Sequence, residues 1–131
     1  MSEPSTGQVN WITTAFAVLL LALGFGFLLS GQWMGVTFFG RNDVEPLASL
    51  MGAALLAFGA MCWVARRAAL GGIYGKGVVT ANQVHFFVGA MVLIKHGAAV
   101  GGPGMYWLLT AFYVLGAAYF CYLVVTTPKR T

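Results

Sequence analysis

Three stretches of this chain, residues 11–30, 46–65 and 105–126, contain no Asp, Glu, Lys or Arg. Each is close to the ~20 residues that a helix needs to cross ~30 Å of hydrocarbon. A 131-residue chain cannot bury three such runs in a soluble core, and its composition agrees: 8% of residues are charged, against about 25% in ordinary soluble domains. A fourth hydrophobic stretch, 79–98 and continuing apolar to residue 100, carries several strongly polar side chains. Hydrocarbon offers the backbone no hydrogen-bond partner, so each stretch must satisfy its amides within itself as a helix. The expected fold is all-α: one four-helix transmembrane domain over residues 1–131, with spans at about 11–30, 46–65, 79–98 and 105–126. No remaining connection is long enough to hold a second domain.

The opening MSEPSTGQVN has Glu3 and no basic residue, unlike the positive start of a cleavable secretory signal, so the first span is expected to be retained. Arg66, Arg67 and Lys76 in the second connection and Lys129 and Arg130 in the tail outnumber Arg41 and Lys95 in and around the first and third connections. With an even number of spans, the second connection shares a side with both termini. The excess of positive charge places that side in the cytoplasm, with both termini inside.

Trp11 and Trp33 bracket the first span as interfacial indoles. Within it, Ala22, Gly26 and Ser30 form a four-residue track of small side chains along which another helix can approach. The second span repeats the device with Ser49, Ala53 and Ala57, and with Gly52 and Gly59 a heptad apart on a neighbouring track. The connection 31–45 holds Val36, Phe38 and Phe39 beside Arg41, Asp43 and Glu45 and is expected to lie in the interface. Asn42 or Asp43 there reads as the cap of the next helix, with Glu45 at the positive dipole end and Pro46 in the first turn.

Catalytic and metal chemistry find little purchase. Cys62 and Cys121 belong to no CxxC or Cys/His cluster, so both are expected to be buried, inert thiols. The glycine-rich segment around Lys76 lacks phosphate-loop spacing, since Gly77 stands where a hydroxyl residue is required. It reads as a flexible basic connector touching anionic headgroups. No catalytic residue, metal site or nucleic-acid partner is expected.

The fourth stretch places Asn82, His85, Gly89, Val92 and His96 near one helical stripe. His85 and His96 are eleven positions apart, roughly 16 Å along the axis. The leading expectation is that Asn82 and His85, a turn or two inside the cytoplasmic boundary, hydrogen-bond across the bundle to Ser49, Thr110 or a tyrosine. Lys95 and His96 then snorkel to the outer headgroups. Intramembrane polar groups also mark functional sites by default. The alternative is therefore a lipid, quinone, haem or pigment site built from Asn82, His85 and Tyr113, whose mid-span hydroxyl needs a partner. Haem needs further ligands that only methionines or a second copy can supply, so no cofactor is the leading expectation, with haem or pigment through His85 as the alternative.

Small multidrug exporters of this size rely on a membrane-embedded acid, and no acid occurs in any of the four spans. The pattern GAALLAFG over residues 52–59, and Asn82, His85 and Phe86 as an N-x-x-H-F opening to the third span, resemble small four-span bacterial proteins of the DoxX-like kind. That resemblance implies a bacterial inner-membrane protein and supplies no catalytic residue. The expected function is a non-enzymatic accessory or packing subunit of a larger membrane complex, or a homo-oligomer. The alternative is a ligand- or cofactor-binding membrane protein using the polar face of the third span.

Overall fold

In a computed structural model, residues 6–66 and 73–126 are described, and among them every long element is a helix. α1 spans Thr6–Leu29, a short α2 covers Gly31–Met34, and a π-helical turn follows at Gly35–Phe39. α3 spans Glu45–Ala65, α4 Ile73–Val100 and α5 Gly104–Thr126. α1, α3, α4 and α5 are each long and apolar enough to cross a membrane. The protein is an all-α, four-helix transmembrane bundle.

The bundle is two antiparallel hairpins, α1 with α3 and α4 with α5, and each pairs far more extensively within itself than with the other. Small residues set the first pairing. A Cβ added at Gly52 would lie 2.6 Å from the Leu28 amide nitrogen and 2.8 Å from the Gly24 carbonyl, and one at Gly59 would lie 3.0 Å from the Leu21 nitrogen. Backbone therefore meets backbone here, as small residues permit in membranes. Of the small residues singled out in the sequence, Gly52 and Gly59 are buried at this crossing, Ser49 and Gly26 are half-buried, and Ala22, Ser30 and Ala53 face outward. From α1 it is Gly24, off the track of Ala22 and Gly26, that faces Gly52.

The α4–α5 hairpin uses glycine differently, as room for rings. Gly89 lies under Tyr113, Gly116 under Phe86, and Gly97 beside Tyr106 and Trp107. The hairpins are then joined by an aromatic layer. Phe86 packs edge-on to Phe16 and Phe112 and stacks on Phe120 at 5.5 Å, while Phe16 stacks on Tyr119 at 5.3 Å. Such pairs each add about 0.5–1.5 kcal/mol beyond the area that they bury.

Three expectations about the connections need correcting. First, the segment after α1 is helical and packed rather than an open connection. α2 and the π-helical turn fold back onto the bundle, burying Met34 and Phe38. Phe38 packs on Phe27 and Phe39 edge-on to Tyr106, so the segment contacts both α3 and α5. Its apolar side chains make this packing favourable, and Gly40, with φ +68°, ends it. Second, neither Asn42 nor Asp43 caps α3. Val44 occupies that position without a side-chain bond. Asp43 is instead held by Arg41, whose Nε and Nη2 donate to its two oxygens at 2.9 and 2.6 Å. That pairing holds the Asp43 carboxyl below its ordinary range and lifts Arg41 above its own. Glu45 and Pro46 do open the helix.

Third, Lys76 is not in a turn: α4 already runs from Ile73, so Gly75, Lys76 and Gly77 are helical. Arg67 and the rest of residues 67–72, like Lys129 and Arg130, lie outside the described residues. The expectation for cysteine also divides, because Cys62 is fully buried whereas Cys121 faces outward.

The exposed tryptophans sit at the two ends of the bundle. Trp11 and Trp63 lie at the end where α1 starts and α3 finishes, and Trp33 and Trp107 at the other. Arg66 lies over the Trp63 ring at 3.5 Å and donates to the Trp63 carbonyl. This is the amphipathic belt expected where hydrocarbon gives way to headgroups.

Candidate functional site

The polar residues of α4 meet the other helices within its apolar run. His85 lies ten residues past Gly75, where the stretch of α4 long and apolar enough to cross a membrane begins, roughly 15 Å of helix. At such depth an unpaired polar group is costly, so each side chain must find a partner.

Asn82 is completely buried and uses both ends of its amide. Its Nδ2 donates to the Val78 carbonyl one turn back at 2.9 Å, and its Oδ1 accepts from the Cys62 thiol of α3 at 3.4 Å. His85 reaches the other hairpin partner. Its Nε2 lies 3.2 Å from the Tyr113 hydroxyl of α5. Gly89, one turn along α4, is what lets the Tyr113 ring cross the helix, since a Cβ there would overlap the ring. Phe58 of α3 stacks on the imidazole at 4.2 Å and 22°, and Phe86 meets it edge-on at 5.3 Å.

The Tyr113 hydroxyl donates to Nε2 in one imidazole tautomer and accepts from it in the other, and either way the bond ties α4 to α5.

His85 and Tyr113 are thus brought together, while Asn82 bonds Cys62 instead, and the two contacts join α4 to α5 and to α3. Ser49 and Thr110 are not their partners. Ser49 lies near Gly31, at the other end of α3, and the Thr110 hydroxyl donates to the Tyr106 carbonyl of its own helix. Tyr106 in turn donates to the Leu93 carbonyl, and Thr13 bonds Tyr119 across α1 and α5. Lys95 and His96 lie exposed near the far end of α4, His96 with its ring 6.0 Å from Tyr106.

Two further polar side chains lie buried beside these residues. Cys62 carries no motif, and only its position opposite Asn82 reveals its role. Gln83 has its Oε1 buried without a hydrogen-bond partner, and its signal was simply being a polar residue beside Asn82 in a transmembrane run. Among the described residues, no group of three or more His, Cys, Asp or Glu could hold a metal ion.

The central bond makes a modest prediction. Tyr113→Phe is expected to lower bundle stability by between about 0.6 and ~1.7 kcal/mol, the range for polar contacts between membrane helices. Steric-trap unfolding in bicelles reads this directly. A loss well above that range would mean that the hydroxyl supports more than one imidazole. Comparison with protein-family models, with curated proteins and with solved structures gives no match to this chain.

Proposed function

We propose that this integral membrane protein is a non-enzymatic accessory or packing subunit that works in lateral association, as a homo-oligomer or beside other membrane subunits. What supports the reading is where its polar groups are spent. Asn82, Cys62, His85 and Tyr113 bond to one another between helices, and Thr13 bonds Tyr119. Such contacts define a bundle.

The outer surface suits association. Ala53, Ala54, Ala57 and Ala60 are all exposed on α3, so a second helix can come close there. Ala57→Trp fills that face without touching the interior. The variant is expected to keep the stability of the parent but to lose its assembly, measured as chemical cross-links formed in native membranes. Cross-links unchanged from the parent would sink the proposed face.

The same proposal sets the protein in a bacterial inner membrane with both termini cytoplasmic. Arg66 and Lys76 stand without a described acidic neighbour at the end where α1 starts. At the opposite end Arg41 is already paired with Asp43 and followed by Glu45. That imbalance favours the cytoplasm for the first end.

A further inference from the structure

Beside the bonded side chains of α4 stands one whose amide is bonded to nothing. Gln83 is half-buried, its Oε1 is enclosed without a hydrogen-bond partner, and its Nε2 makes no hydrogen bond among the described residues. It lies eight residues past Gly75, inside the stretch of α4 long and apolar enough to cross a membrane. An amide in hydrocarbon is costly until both its donor and its acceptor are satisfied. Asn82 and His85, next to it on the same helix, have found Cys62 and Tyr113.

Its position on α4 shows from which side a partner can come. Residues three and four apart are neighbours on a helix surface. On one flank of Gln83 stand Val79 and Phe86, both buried, and on the other Thr80 and Phe87, both exposed. Gln83 therefore sits on the border between the packed face and the outer face. The side of α4 turned toward its own α3 is a different one, taken by Asn82 and His85. No hydrogen bond holds the Gln83 amide inward, so swinging it out past Phe87 breaks none.

We propose that Gln83 pairs with Gln83 of a second copy of this chain, each amide donating to the oxygen of the other across a two-fold axis normal to the membrane. An amide carries donors and an acceptor at one end, so two of them satisfy each other whichever way each end is turned. Two copies in one membrane share an orientation, and their Gln83 residues stand at equal depth. The contact is isologous, with the same residues on both sides, and Thr80 and Phe87 flank it. This rests on the association reading and adds a contact to it. Two hydrogen bonds are too few to meet the cost of bringing two free chains together, so the α4 contact forms between chains already gathered through the α3 face.

The test uses the full chain in native membranes with Cys121→Ala, which removes the exposed native thiol and leaves the buried Cys62. Phe87→Cys in this background is expected to give disulfide-linked dimers on oxidation. Val88→Cys is the control: Phe87 and Val88 are 52% and 51% exposed, but they lie about 40° and about 140° round the helix from Gln83. Adding Gln83→Met, which keeps the shape and removes the amide, should slow the Phe87→Cys cross-link roughly tenfold, the loss of two hydrogen bonds between membrane helices. The particle gathered through α3 should survive that change in native mass spectrometry. The proposal is overturned by no dimer from Phe87→Cys, by equal dimer from Val88→Cys, by an undiminished rate with Gln83→Met, or by Phe87→Cys joining a different protein. Failure of the association reading is distinct, for it shows as single chains before Gln83 is altered.

Discussion

Gly52→Leu is expected to lower the stability of the bundle by ~3 kcal/mol, the upper end of the usual cost of overpacking. The reason lies in what the new side chain would meet. A flexible side chain could yield to it, but the atoms nearest to a Cβ at Gly52 are the backbone of Leu28, Gly24 and Phe27, at 2.6–3.0 Å. Two helices must separate along their length, and Phe27, Leu20 and Leu55, all fully buried at this contact, lose their packing together. Gly77→Leu is the matched control: it too is a helical glycine, and its Cβ position has open space around it. That change should fall within ~0.5 kcal/mol of the parent, as surface substitutions do. Equal effects from the two substitutions would remove the close backbone approach from the account.

Phe86→Ala comes next, at about 3 kcal/mol, the lower end of the range for buried phenylalanines. The lower end applies because the separated helices rest in lipid, which supplies part of the apolar environment that the side chain would lose in water. What remains is packing. Phe86 is fully buried and meets Phe16, Phe112, Tyr113, Phe120 and His85, so its ring joins α1, α4 and α5. Steric-trap unfolding should show Phe86→Ala costing clearly more than Tyr113→Phe. The reverse order would mean that hydrogen bonds, rather than rings, hold the hairpins to each other.

The four membrane-crossing helices were legible because charge exclusion over ~20 residues is a strong and local signal. The missed features all depend on a choice between partners that only the fold decides. Phe38 and Phe39 look the same in sequence whether they rest in the interface or turn back against Phe27 and Tyr106. Asp43 can cap a helix or hold Arg41, and the guanidinium two residues away offers two bonds where a cap offers one. The glycines around Lys76 read as a turn by propensity. In the folded chain that propensity is overridden, and α4 continues back to Ile73.

The site was legible to the same degree. A polar stripe on the third span pointed to Asn82 and His85, and a mid-span phenol without a partner pointed to Tyr113. Their meeting depends on Gly89, whose missing side chain opens the path between them, and nothing local to Gly89 says which ring will fill it. Gly24 was missed for a related reason: the regular spacing of Ala22 and Gly26 drew attention to a track that turns outward at Ala22.

Lateral association is proposed for a bundle in which Asn82, His85 and Tyr113 are already bonded internally. Native mass spectrometry of the full-length protein, released from mild detergents and from nanodiscs, tests it most directly. A particle of two or more copies, or a stable complex with a larger membrane protein, is expected, and Ala57→Trp reduces it to single chains. A strictly monomeric particle in every mild detergent and in nanodiscs would contradict it.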